Sequence, residues 1–276
     1  MTRLRTALES PRASSVGLGI WAALVFGFLY LPIVVVAVFS FVENRVSSLP
    51  LQGFTTRWYT QAFSDQALLD SLRNSVMVGL GAVAIAVTFG VPGALLVDRH
   101  SFPGKAIFRR FVLLPLILPG VITGVSFLTF YSAIGFKLSL TGVSLAHGTA
   151  LISTVLTTCY AQLVRMDRAP EEASLDLGAS RWKTFWFVIF PQLRTAILAS
   201  SLLAFTLSFD EIPVTFFIIG PENTLPLFIW SSLRQGFTPE INAISTIVVL
   251  LGVVTIVLFA RLTGGRAVPA RPGGNP

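Results

Sequence analysis

Two groups of residues in this chain have types and spacings that could do chemistry. Asp210 and Glu211 stand inside an otherwise apolar stretch, with Pro213 two residues further on. Carboxylates in hydrocarbon are costly to hold, so an acidic pair there marks a functional site by default. Proline cannot continue the helical hydrogen-bond ladder, so the helix should break or kink beside the acids. Such a break makes a polar pocket that can hold a cation in passage. The competing reading is that both acids face the outer interface or neighbouring helices and only fix the break. The second group lies in residues 165–194, the most polar part of the chain, which contains RAPEEASLDLGASRWKTFWFVIFPQL. Pro170, Glu171 and Glu172 read as a helix start, because proline fits the first turn and acids favour the positive end of the helix dipole. Gly178 can close that helix in a left-handed conformation. A second helix is expected over 180–190, with Trp182, Phe185, Trp186 and Ile189 on one face and Pro191 ending it. Two short helices hinged at a glycine form a knob suited to packing on a partner. On periodicity alone an ordinary interhelical loop is the other reading.

Other chemistry is poorly supported. There is no phosphate-binding glycine loop: Gly104-Lys105 lacks the earlier glycine and the hydroxyl residue. No metalloprotease, nucleophile-elbow or clustered-histidine pattern occurs, so neither a catalytic residue nor a metal site is expected. Cys159 is the only cysteine and lies in an apolar stretch, where it reads as a small buried hydrophobe.

The elements that must position these residues are membrane helices. Hydrophobic residues make up 53% and charged ones 12% of the 276 residues, about half the charge of an average soluble domain. Six apolar stretches of about the length needed to cross a bilayer run over 16–42, 74–97, 111–134, 144–164, 196–219 and 241–260. Backbone groups in lipid must pair within their own segment, which makes helices the natural assignment and an all-α integral membrane protein the fold class. Fifteen of the 20 Lys and Arg fall on one side of these stretches, clustered near Arg3, Arg99, Arg165 and Arg261. The positive-inside rule then puts both termini in the cytoplasm, with 1–15 a cytoplasmic segment and 264–276 a disordered cytoplasmic tail. The net charge of +7 is read as this topology signal, not as a nucleic-acid surface. Asp210 and Glu211 would stand about 20 Å along their span, in its outer half. Residues 58–72 mix apolar and polar types as an outer surface helix would. The third stretch holds Pro115, Pro119, Gly120 and Gly124, which suit a kinked, closely packed span. His147, Trp21, Tyr30 and Trp230 are expected at the membrane interfaces.

A resemblance sharpens this picture. The motif of the EAA loop of ABC-type, binding-protein-dependent importers is matched by Glu172, Ala173, Ser174, Gly178, Val188, Phe190 and Pro191 at the family's spacing. Ser174, Val188 and Phe190 depart from it by small or apolar replacements. The stretches LYLPIVVVAVFSF, FTTRWYTQAF and SFDEIPVTFFIIGPENTLPLFIWSSLRQGFTPEINAISTI are similar to those of spermidine/putrescine permeases. The resemblance implies a MetI-like type I ABC importer permease fold in a bacterial inner membrane. It implies that Glu171, Glu172, Ala173, Ser174, Asp176, Gly178 and Pro191 belong to a loop whose first helix couples to an ATPase. It also implies partners: a cytoplasmic ABC ATPase dimer holding the ATP and magnesium, a second, diverged permease, and an extracytoplasmic solute-binding protein. No cofactor is expected in this chain. The implied solute is a polyamine; another small organic ion, such as a phosphonate or an amino-acid derivative, is the alternative. An ion-coupled secondary transporter is a further alternative, but it should show intramembrane charges in both halves.

Overall fold

The computed structural model describes residues 11–44, 50–51, 53–235 and 239–263. Among them the chain is helical, apart from an isolated antiparallel bridge between Val42 and Phe54. It forms two compact units, Met1–Asp65 with Ser232–Pro276, and Gln66–Ser231. The tail 264–276 and residues 1–10 lie outside the described residues. Residues 11–15 of the expected N-terminal segment already belong to the first helix.

In the first unit, α1 (Pro11–Phe39) is apolar and exposed along 17–35, Trp21 and Tyr30 included, as suits a helix surrounded by lipid or partners. α2 (Arg57–Ser64) is shorter than the surface helix expected over 58–72. It stops at Asp65, whose backbone is extended. Its Trp58 and Ala62 are buried. The Trp58 indole N–H donates to the Val42 carbonyl at 2.6 Å, and the Ser40 and Tyr59 hydroxyls pair at 2.7 Å.

The second unit begins with α3 (Gln66–Arg99) and continues with α4 (Lys105–Ile117), α5 (Gly120–Ala133) and α6 (Leu140–Leu163). Then come α7 (Ala169–Asp176), α8 (Arg181–Thr184), α9 (Phe190–Phe209), α10 (Pro213–Ile218) and α11 (Leu225–Gln235), whose last four residues fall in the first unit. The last helix of the chain, α12 (Pro239–Thr263), belongs to the first unit. α3 and α6 form the core, with Ala82, Ala86 and Ala94 meeting Leu151, Val155 and Cys159. Small residues let the two backbones approach, since membrane helices associate by close packing rather than by the hydrophobic effect. A Cβ on Gly90 would lie 2.8 Å from Val155 Cβ and 3.1 Å from the Ile152 carbonyl. One on Gly148 would lie 2.7 Å from Ile85. Cys159 is buried and unpaired by disulfide.

Three prolines shape the rest: Pro119 and Pro213 interrupt their stretches, where a kink and a break are expected, and Pro191 departs from expectation. The stretch 111–134 is two helices, α4 and α5, bent by 105°. Leu118 is extended (φ −70°, ψ 132°) because it precedes Pro119, which disfavours helical geometry at the residue before it. Pro191, expected to end a short helix, does not. α8 passes through a π-turn (Phe185–Ile189) into α9, and the helical run Arg181–Phe209 continues across the proline. The widened turn bonds the Phe190 N–H to the Phe185 carbonyl, and the Gln192 side chain donates to the Val188 carbonyl at 2.9 Å. A π-bulge of this kind accommodates a proline that a regular turn would not. The stretch 196–219 is likewise divided: α9 ends at Phe209 and α10 begins at Pro213. Among the described residues four helical runs are long and apolar enough to cross a membrane, or five if the bent pair counts as one, and α12 is apolar over Pro239–Thr255.

Candidate functional site

The polar loop after α6 is built on α7. Pro170, Glu171 and Glu172 occupy its first turn, and Gly178, at φ +85°, follows its end. The Gly178 N–H donates to the Leu175 carbonyl at 2.9 Å and the Ala179 N–H to the Ser174 carbonyl at 3.1 Å. These two bonds make a Schellman closure, which needs a left-handed residue where glycine sits. The Ser174 and Thr184 hydroxyls lie 3.1 Å apart and tie α7 to α8. No residue of α7 is buried. Glu172, Ala173 and Asp176 are exposed, and so are Leu175 and Leu177, the latter at 88%. Beyond the glycine, Trp182, Phe185, Trp186 and Phe190 pack ring against ring with neighbouring centroids 5.0–6.3 Å apart.

The two acids of the first turn have different surroundings. Glu171 Oε2 lies 2.5 Å from Arg99 Nη2 at the end of α3, whereas Glu172 is exposed. The Glu171–Arg99 contact is one of opposite charges; neither atom has an aligned hydrogen bond. Arg99 Nη1 donates to Asp98 Oδ2 at 2.5 Å, and Arg168 Nη2, just before α7, reaches the same oxygen at 3.3 Å. Nothing in the sequence joins Asp98 and Arg99 to this loop, because Arg168 and Glu171 lie about 70 positions away.

The second candidate region lies at the two broken helices. Glu211 sits between α9 and α10, and its Oε1 accepts from the Val214 N–H at 2.9 Å, capping α10. The Thr215 hydroxyl donates to the Glu211 carbonyl at 2.8 Å. His147, expected at an interface, is instead buried, with 3% exposure. Its Nδ1 is 2.8 Å from Ser208 Oγ on α9 and its Nε2 is 3.1 Å from Thr215 Oγ1 on α10. The hydroxyls at the break supply the polar partners that let a histidine sit inside α6, where neighbouring apolar residues give no hint of them. Thr215 spends its one hydroxyl proton on Glu211, so Nε2 of His147 is the donor to Thr215. α5 packs onto α10 through glycines: a Cβ on Gly124 would lie 2.7 Å from Phe217 and 3.1 Å from the Pro213 carbonyl. A pocket of about 250 Å³ opens here, lined by Pro115, Gly120, Thr123, His147, Ser208 and Glu211 among others. Among the described residues Glu211 is the only acidic one lining it. Asp210 is exposed and outside that lining, and Pro213 starts α10. The structure therefore brings Glu211 to the pocket and leaves Asp210 off it. Trp230, also expected at an interface, is half-buried with its ring 5.7 Å from Phe216. Among the described residues no group of His, Cys, Asp and Glu could hold a metal ion.

Comparison with known proteins places this geometry. Residues 86–264 match the family described as the binding-protein-dependent transport system inner membrane component. The chain is 34% identical over 242 residues to the putrescine transport system permease protein PotI of Escherichia coli K12, covering 85% of each. It is 31% identical over 234 residues to the spermidine/putrescine transport system permease protein PotC of the same strain, covering 84% of this chain and 88% of that one. Its fold is similar to a chain of a bacterial ABC transporter involved in the import of the acidic polysaccharide alginate, with a TM-score of 0.71, 15% identity and coverage of 94% and 98%. A match over more than half the sequence, in a chain of apolar helices broken at prolines, is decisive: this chain belongs to the family of inner-membrane components of binding-protein-dependent transport systems, and is a multi-pass permease subunit of an ABC importer.

Proposed function

We propose that this permease moves a polyamine, putrescine or spermidine, across a bacterial inner membrane, and that Glu211 offers its charge to the passing cation. The observation that carries this reading is the pocket at the double helix break, where a single carboxylate stands among hydroxyl and apolar groups. A diamine enters such a pocket with its ammonium losing water, and a fixed carboxylate replaces that solvation. The names of the relatives, putrescine and spermidine/putrescine permeases, support the same substrate class. Asp210, one residue earlier, would act at the pocket's approach.

Membership of the family supports the following reading of the rest of the machine. A second permease, diverged from this chain, completes the pathway. A pair of ATPases binds ATP and magnesium in the cytoplasm, and α7 docks on one of them through Glu172, Ala173, Asp176 and the turn at Gly178. An external binding protein delivers the solute. Both termini lie in the cytoplasm, on the side richer in Lys and Arg. The test is uptake by the complete transporter in proteoliposomes. ATP-dependent accumulation of labelled putrescine is expected, suppressed by excess spermidine and untouched by a phosphonate or an amino-acid derivative. Accumulation of either of the latter, without putrescine, would replace the substrate assignment.

A further inference from the structure

Four charged side chains join the end of α3 to the start of α7 in alternating order: Glu171, Arg99, Asp98 and Arg168. Resting on the reading that α7 docks on an ATPase, we propose that Asp98 and Arg99 are positioning residues that clamp α7 to α3, so that motion of the docked helix is delivered to the membrane core. The clamp grips at two points. Arg168 precedes α7 and Glu171 lies in its first turn, and both are held by consecutive residues of α3. Two grips fix the direction of a short helix as well as its position, where one would leave a swivel. The charges at the centre are largely withdrawn from water, with side-chain exposures of 5% for Asp98, 13% for Arg99 and 18% for Glu171. Screening there is weaker than at an open surface.

Little else restrains α7. None of its residues is buried, and it packs mainly on the short α8 and the π-turn beyond the Gly178 turn, with the Ser174–Thr184 hydroxyl pair among those contacts. A push on an unclamped α7 would be spent tilting it. A push on the clamped helix displaces α3. The α3 backbone meets α6 at Gly90 and α9 at Gly79, where a Cβ would lie 2.8 Å from Phe205. α6 carries His147, and α9 ends at the break beside Asp210 and Glu211. The four-charge clamp thus stands at the start of a contiguous packed route from the loop to the pocket.

The experiment measures solute moved per ATP hydrolysed in the complete reconstituted transporter. Arg99→Gln should lower that ratio by about fivefold or more, the lower end of coupling between distinct sites. Arg99→Lys, which keeps the charge without the planar fork, should recover part of it. A merely structural role would change yield or melting temperature and leave the ratio alone. A second arm carries Arg99→Cys with Glu171→Cys, joined by a short bis-maleimide in a transporter whose other subunits lack cysteine; Cys159 is buried. The tether should restore the ratio to within about twofold of the unaltered protein. If Arg99→Gln does not assemble, this arm decides alone. An unchanged ratio in Arg99→Gln, or a tether that stops transport, overturns the clamp. If Glu172→Lys abolishes uptake while Arg99→Gln leaves the ratio intact, only the clamp fails. If both are without effect, the docking of α7 fails with it.

Discussion

Replacing Glu172 by lysine is expected to reduce ATP-driven uptake by at least about tenfold, the effect of some 1.4 kcal/mol lost from a coupled interaction. Glu172 is exposed on α7, whereas its neighbour Glu171 is engaged by Arg99. Reversing a charge on an exposed surface position ordinarily costs a protein little stability. A large loss of transport with normal assembly would therefore report a partner that needs the acid. On the proposed docking that partner would be a basic side chain in a groove of the ATPase, and truncating one member of a buried charged pair at an interface costs about 2–5 kcal/mol. The measurement is initial uptake rate in proteoliposomes, with ATPase copurification as the assembly check. Full activity in Glu172→Lys would remove this acid from the docking surface.

Changing Glu211 to glutamine should lower the rate of putrescine uptake at limiting concentration by at least about tenfold, the effect of about 1.4 kcal/mol lost with one charge contact at a half-buried carboxylate. The substitution separates two roles. Glutamine keeps an oxygen that can accept from the Val214 N–H, so the cap on α10 survives. What disappears is the charge in the pocket. Glu211→Ala removes both and should add a stability loss of about 1 kcal/mol, typical of a helix cap. The two variants are compared by uptake against putrescine concentration and by thermal unfolding in detergent. If Glu211→Gln transports normally and only Glu211→Ala is impaired, the residue is a cap and the cation is handled elsewhere.

Much of this architecture is legible in the amino-acid sequence, and the parts that are not have identifiable physical reasons. Apolar runs signal membrane helices because lipid leaves the backbone no other partner. Gly178 is readable because a helix end of this type needs a left-handed residue, and the acids before it mark the start. Pro213 is readable as a break for a related reason: its missing N–H ends one ladder and begins another. The same rule misleads at Pro191, where a π-turn upstream lets the helix continue. Proline restricts the turn before it, but does not say whether the chain will widen that turn or stop. Pro119 turns the chain by 105°, a magnitude set by α5 packing on α10 as well as by the proline itself. His147 is misplaced by sequence reasoning because its partners, Ser208 and Thr215, arrive from a helix break more than 60 positions away. The pairing of Arg99 with Glu171 escapes for the same reason, although Glu171 itself is legible at the helix start. Periodicity describes one helix at a time, and both sites are made where two helices meet.

The claim on which this account rests is that α7 seats against the ATPase on the cytoplasmic side. Cysteine placed at Ala173, exposed on α7, tests it most directly through cross-linking in inside-out membrane vesicles of the assembled transporter. The expected result is a covalent product between this chain and the ATPase subunit, with a yield that changes when ATP is bound. Labelling of the same cysteine from the outer face of intact cells by a membrane-impermeant reagent, with no product to the ATPase, would contradict it.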